Sequence, residues 1–139
     1  MSLDRCPANR HRNLTMSADW TSALARARAH APFLARALDR LPALAELLGA
    51  GQGEAALSLA KTAGADAPDV GSALRREKLA LSAALAIGDL AGAFGLGRVV
   101  TELSDFADRA LDHAIAAVAD RETFQKVEVI DNGKWHRKR

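Results

Sequence analysis

Carboxylates at helical spacing are the first residues of this chain that could do chemistry. Asp105, Asp108 and Asp112 are three and four positions apart, so they share one face of a predicted helix. Such a face could bind a divalent cation, since Mg²⁺ takes carboxylate oxygens as ligands. A Mg²⁺ site also needs preset octahedral geometry, and Arg109 stands beside the aspartates. We therefore interpret this face as solvated.

Glycines and nucleophiles give no stronger signal. Gly92, Gly95 and Gly97 are spaced like part of a phosphate loop, but a dinucleotide fingerprint follows a strand and this run follows a predicted helix. We interpret it as a turn. The four histidines are scattered, so no Ser–His–Asp set can be argued, and the single cysteine, Cys6, has no thiol partner. The sequence therefore assigns no catalytic, cofactor-binding or metal-binding residue.

A basic cluster is the one candidate for contact with a partner. Arg75, Arg76 and Lys78 stand near the start of the fifth predicted helix, where cations are mildly unfavourable with the helix dipole. A solvated face is the ordinary explanation, and docking to an acidic partner is the functional one. The C-terminal Trp135–Arg139 segment could grip nucleic acid by charge and stacking, but we favour a solvated tail.

Composition places these residues on helices. Of the 139 residues, 49% are hydrophobic but only 4% aromatic, so alanine and leucine, both strong helix formers, must build the core. The net charge of +2 comes from the two ends, and residues 17–133 hold 12 basic against 16 acidic residues. Nucleic acid is therefore not the partner that the body of the chain favours. Apolar runs are short, which predicts no membrane span.

Helix signals divide the body into six segments. Proline at a first turn, short polar caps and apolar residues at steps of three and four mark them. The predicted helices run from about Trp20 to His30 (capped by Ser17 or Asp19), from Pro32, from Pro42 to a glycine run at 49–53, from Glu54 to Ala63, from Ala73 to Phe94 (capped by Ser72 or Asp69) and from Arg98 to Arg121.

Two helices carry wide apolar stripes. On the fifth, Leu79, Leu85 and Leu90 belong to a stripe broader than one neighbouring helix needs. The sixth has a clean stripe that we expect to face inward, with the three aspartates and Arg109 outward; its members are Leu103, Phe106, Ala110, Leu111, Ala114 and Val118. These patterns predict an all-α fold, a compact bundle of about six helices with disordered basic termini.

The same patterns divide the chain into three parts. Residues 1–17 are predicted to be a disordered leader, 18–121 a helical domain and 122–139 a divergent basic tail. Within the tail, residues 126–129 alternate like a strand and 131–133 carry a tight-turn signal. Only two residues follow before the basic end, too few to predict a second strand.

Three stretches resemble a known family. Ala31–Leu48 resembles the opening helices of glutamine synthetase adenylyltransferases, and Ala73–Leu81 with Ile87–Gly92 resembles a later helix of that family. Val100–Asp108, VTELSDFAD, is similar to a third helix and is the most specific match. Order and spacing agree over roughly residues 20–120.

The resemblance implies a non-catalytic helical region. The family attaches AMP to a tyrosine of glutamine synthetase and removes it by phosphorolysis, with ATP and Mg²⁺, and this helical stretch precedes the adenylyl-removing domain. That domain's motif is Gly-Ser followed by Asp-x-Asp, whose paired carboxylates hold Mg²⁺. Here Gly71-Ser72 is followed by no Asp-x-Asp, so we expect an inactive fragment that holds no cofactor of its own.

Partners follow from the same reasoning. The resemblance implies glutamine synthetase or the missing catalytic domain as the partner, in the cytoplasm, where a lone cysteine fits a reducing environment. Without that domain an apolar surface is left bare, which predicts a two-fold homodimer. The alternative is a stand-alone helical module that binds a protein, or nucleic acid through its basic ends.

Overall fold

A computed structural model describes residues 18–120, 129–131 and 134–136. The described residues form six helices and one short hairpin, which confirms the all-α class of the bundle. The helices are α1 Trp20–His30, α2 Pro32–Arg40, α3 Pro42–Gly49, α4 Gly53–Lys61, α5 Val70–Leu90 and α6 Leu96–Asp120.

Local signals set most of the helix starts. Asp19 caps α1, its Oδ1 accepting from the Ser22 N–H at 2.9 Å, and Asp69 caps α5 by accepting from the Ser72 N–H at 2.8 Å. Pro32 and Pro42 open α2 and α3, where the missing N–H has no intrahelical partner to lose. The caps at Asp19 and Asp69 and the starts at Pro32 and Pro42 confirm the sequence predictions, whereas α5 begins at Val70 and not near Ala73.

The fifth helix is the centre of the bundle. It packs against α1, α2, α3, α4 and α6. Alanine and glycine make up half of its buried residues, so neighbouring helices approach closely. The buried residues are Glu77, Ala80, Leu81, Ala83, Ala84, Leu85, Ile87 and Gly88. The stripe of this helix is broader than one neighbouring helix needs, as predicted, and five neighbouring helices pack around it. The bare apolar surface expected to drive self-association is therefore not at Leu85, which is only 2% exposed.

An aromatic contact closes one end of the core. Gly92, at φ +74°, ends the turn after α5 in a conformation that favours glycine, and the chain folds back so that Phe94 lies over Gly88. The Phe94 ring meets Trp20 edge-on at 5.9 Å between centroids. The predicted continuation of α5 to Phe94 is therefore wrong, because α5 ends at Leu90.

A two-stranded hairpin lies in the tail. The strands β1 (Val129–Asp131) and β2 (Lys134–His136) pair antiparallel, with Ile130 opposite Trp135. The expectation of no second strand is wrong, since three residues after the turn signal suffice to pair. The predicted disordered leader at 1–17 and the remainder of the tail lie outside the described residues.

Candidate functional site

The sixth helix is the least covered element of the bundle. Among the described helices and strands its backbone lies close only to that of α5, and α4 reaches it through side-chain ion pairs. Val99 and Phe106 rest partly buried against the core, while Glu102 is the one residue of Leu96–Val118 that is buried outright. Most of a 25-residue amphipathic helix is therefore left facing outward.

The outward side of α6 is apolar. Seven residues at steps of four, three, four, four, three and four share one side of the helix, and all seven are exposed; we call Leu96, Val100, Leu103, Ala107, Leu111, Ala114 and Val118 the outer stripe. Leu96 is 77% exposed, Leu111 65% and Val118 51%. Of ten exposed large hydrophobic residues in the described chain, six lie on α6. Such a concentration marks an interaction surface.

Four residues of the outer stripe belong to the stripe that the sequence predicts to face inward. That prediction is wrong for Leu103, Leu111, Ala114 and Val118, and holds in part for Phe106 and Ala110, which are half-buried. The buried direction of α6 runs instead through the row Val99, Glu102 and Phe106. The apolar pattern of the sequence does not mark this row as buried, because a charged residue, Glu102, stands in its middle.

Glu102 is one of two buried carboxylates of the described residues and contacts two cations, Lys61 and Arg98. Its Oε1 accepts from Arg98 Nε at 3.0 Å, and Lys61 Nζ lies 2.7 Å from Oε2, an electrostatic contact without good hydrogen-bond geometry. Lys61, followed by Arg98, holds the pKa of Glu102 below its ordinary value, although burial works in the opposite direction. The cluster ties α6 to the end of α4.

Replacing Glu102 by glutamine tests this cluster. We expect Glu102→Gln to lower the free energy of unfolding by about 1–2 kcal/mol at pH 7, because the amide cannot balance two cations. Since the folded pKa is lowered, the contribution of Glu102 is complete above its unfolded value, near 4.5, and is lost as pH falls through the folded pKa. Urea denaturation of both proteins from pH 7 to pH 3 should show their difference shrinking.

Glu54→Gln is the matched control for that prediction. Glu54 Oε2 accepts from the same Arg98, at 2.8 Å, but its side chain is 71% exposed. We expect a loss of at most about 0.5 kcal/mol, since exposed ion pairs contribute little. Equal losses for the two variants, or a Glu102→Gln difference that persists at pH 3, would contradict the role given to Glu102.

Glu77 is the second buried carboxylate. Arg109 Nη1 lies 2.8 Å from its Oε1, again as an ion pair with poor hydrogen-bond geometry. The pair joins the centre of α5 to α6. Arg109 is exposed, as predicted for the outer row, but its guanidinium reaches back to a buried partner.

A shallow cavity of about 350 Å³ opens beside this pair. Polar groups that line it are Lys61, Glu77, Arg109 and His113, and its apolar wall includes Leu74. Lys61 and Arg109 are each paired with a buried glutamate, so the cavity offers no free excess of charge to hold an ionic ligand. It carries less functional information than the outer stripe.

The predicted docking cluster is exposed but partly engaged. Arg76 Nη1 forms an ion pair with Asp66 at 3.1 Å, and Arg75 donates to the Ser72 hydroxyl at 3.1 Å. The Ser72 hydroxyl in turn donates to Asp69, and with the Ser72 N–H it holds the pKa of that carboxyl below its ordinary value. Lys78 makes no ion pair within the described residues. A docking role for Arg75, Arg76 and Lys78 stays a prediction.

The aspartates and glycines considered as ligand sites lie at exposed or turn positions. The three aspartates of α6 are exposed, and the described part of the chain brings no three His, Cys, Asp or Glu residues together to hold a metal ion. Gly92 and Gly95 lie in the turn between α5 and α6. No helix within the described ranges is long and apolar enough to cross a membrane.

Comparison with known proteins adds no assignment. No family model, curated protein or solved structure matches this chain. The geometry of the bundle and the resemblance of its sequence to glutamine synthetase adenylyltransferases are therefore the features that bear on function.

Proposed function

We propose that this chain is a non-catalytic docking segment, a helical bundle that presents the outer stripe of α6 to another protein. The observation that supports this is a full-length row of exposed apolar residues on a helix that packs against α5 and is tied to α4 by ion pairs, both on other sides of the helix. Exposing leucine and valine to water is unfavourable, so a row of this length favours a covered state.

The arrangement of carboxylates also supports docking over catalysis. Glu77 and Glu102, the two buried carboxylates of the described residues, each contact a cation of the protein itself. A Mg²⁺-dependent transferase needs paired carboxylates open to the metal and to phosphate. These two residues serve to fasten α6 to the bundle.

The resemblance to glutamine synthetase adenylyltransferases supplies the partner of this proposal. In that family the helical stretch stands ahead of the adenylyl-removing domain, so the outer stripe would contact that domain or glutamine synthetase itself. Arg75 and Lys78, both exposed on α5, would meet acidic residues of the partner. The proposal places the chain in the cytoplasm, with ATP and Mg²⁺ bound by the partner domain.

Direct binding tests this proposal. The chain should bind a purified adenylyl-removing domain or glutamine synthetase in isothermal titration calorimetry, and Leu103→Glu/Leu111→Glu should abolish the signal. Phe33→Glu is the matched control, since Phe33 is 53% exposed on α2, away from the outer stripe. Absence of binding to both proteins would overturn the family-specific partner. Loss of binding in the control as well would overturn the assignment to α6.

The proposal also predicts that the isolated chain is inactive. Incubation with labelled ATP, Mg²⁺ and glutamine synthetase should leave the synthetase unlabelled, and adenylylated synthetase with phosphate should keep its AMP. The reason is the missing Asp-x-Asp pair. Boiled chain sets the background and an intact adenylyltransferase is the positive control. Label transfer or AMP release above that background would refute the non-catalytic role.

A further inference from the structure

The spacing of the outer stripe is the same in both directions. Its steps of four, three, four, four, three and four are symmetric about Ala107. Reversing the helix therefore places Leu96 opposite Val118, and Leu103 opposite Leu111. An isologous two-fold contact pairs a surface with its own rotated copy, so this symmetric spacing would keep the two stripes in register along their whole length.

We propose that the outer stripe pairs with the outer stripe of a second copy, antiparallel, with the two-fold axis at Ala107. This rests on the proposed function, since it names a partner for the same docking surface. The small side chain of Ala107 lets the helices approach at the axis, and Leu103 and Leu111 enclose it from either side. Val100 of one copy meets Ala114 of the other, so large and small residues alternate across the contact.

The size of the stripe fits a weak, reversible dimer. At 25 residues, α6 is about 37 Å long, and a helix is about 10 Å wide. A footprint of these dimensions, about 370 Å² per copy, is well below the roughly 800 Å² per partner of stable complexes, so the stripe alone suits only a transient contact. The stripe continues into a groove where Val70 and Leu74 of α5 lie beside Ala114 and Val118, which adds contact at each end. We therefore expect a dissociation constant of the homodimer in the micromolar range.

Antiparallel pairing also suits the helix dipoles. Each positive N-terminus lies beside the negative C-terminus of the partner helix. Parallel pairing would place like ends together and would make no use of the symmetric spacing. The direction of pairing is therefore part of the proposal and can be tested separately from the existence of the dimer.

Sedimentation equilibrium of the full chain tests the dimer. The mass should approach twice 14.7 kDa at about 100 μM and fall toward 14.7 kDa on hundredfold dilution. Leu103→Glu/Leu111→Glu should weaken association roughly 100-fold or more, because it places unpaired carboxylates in the apolar contact. Phe33→Glu should associate like the parent, and circular dichroism checks that each variant is helical. A parent mass fixed at 14.7 kDa would overturn the proposal.

Single cysteines test the two-fold axis without disturbing the fold. In a Cys6→Ser background, Ala107→Cys should be captured as a dimer by a short bis-maleimide. Ala116→Cys, exposed on the opposite side of α6, should not. Leu96→Cys should crosslink with Val118→Cys when the two are mixed, and not with itself. Self-crosslinking of Leu96→Cys, or equal capture at Ala116, would overturn the antiparallel contact.

These outcomes separate the inference from the function on which it rests. A chain that stays monomeric but binds the adenylyl-removing domain or glutamine synthetase through α6 overturns the homodimer alone. A dimer with the expected crosslinks that binds neither protein supports the inference and overturns the family-specific partner. A chain that neither dimerises nor binds either protein overturns both the homodimer and the proposed docking function.

Discussion

Gly88→Ala is expected to lower the free energy of unfolding by about 2–3 kcal/mol, although alanine is the better helix former. Gly88 is buried in α5, and a Cβ there would overlap the ring of Phe94. The ring has little room to move, since Trp20 meets it edge-on and the Gly53 backbone lies beneath its edge. Thermal unfolding followed by circular dichroism should show a midpoint lower by roughly 10 °C.

Gly97→Ala is the matched control for this change. Gly97 also lies within a helix, α6, but a Cβ at that position would meet nothing within 4 Å. Alanine there should leave stability unchanged or raise it by up to about 1 kcal/mol through helix propensity. Equal effects of the two substitutions would show that Phe94 does not pack on Gly88. Gly88→Ala combined with Phe94→Leu, which shortens the side chain, should recover part of the loss.

The starts of the first three helices could be predicted from sequence because local chemistry decides them. Pro32 and Pro42 fix a first-turn conformation, and Asp19 lies three residues before the N–H that it caps. The end of α5 could not be predicted this way. Gly92, at positive φ, is a local signal for the turn, but Phe94 continues the apolar spacing of the helix past it, and the contacts of Phe94 with Gly88 and Trp20 show that it packs back on the core instead.

The two buried carboxylates have a recognisable sequence pattern, a glutamate at helical spacing between apolar residues. Glu77 lies between Leu74 and Leu81, and Glu102 between Val99 and Phe106, each at steps of three and four from its apolar neighbours. A charge inside an apolar row predicts a buried ion pair. The partner of Glu77 is far along the chain, so composition alone could not name Arg109.

The outer stripe shows the limit of periodicity as evidence. An amphipathic pattern indicates that one face of a helix is covered, but it does not tell which molecule covers it. Sequence reasoning assigned the stripe of α6 to the bundle's own core, whereas α5 contacts a different side of the helix. The fastening of that side by Glu77 and Glu102 turns the apolar row outward.

Leu85→Ala is expected to lower the free energy of unfolding by about 3 kcal/mol, because the substitution removes most of a buried side chain. Leu85 is 2% exposed in the C-terminal half of α5, where deletion of the side chain leaves a cavity among neighbours that cannot fully close it. Leu90 belongs to the same predicted stripe but ends the helix and is 37% exposed, so Leu90→Ala should cost at most about 1 kcal/mol. Urea denaturation midpoints at constant slope measure both changes.

The variants Leu85→Ala and Leu90→Ala also test which helix carries the docking surface. If the bare apolar surface lay on α5, Leu90→Ala would weaken self-association and Leu85→Ala would leave stability nearly unchanged. With α6 as the docking helix, both α5 variants should keep the association of the parent chain wherever they remain folded. Leu111→Ala should instead weaken association and cost little stability, since its side chain is 65% exposed. A Leu85→Ala chain as stable as the parent would refute the central position of α5 on which this argument depends.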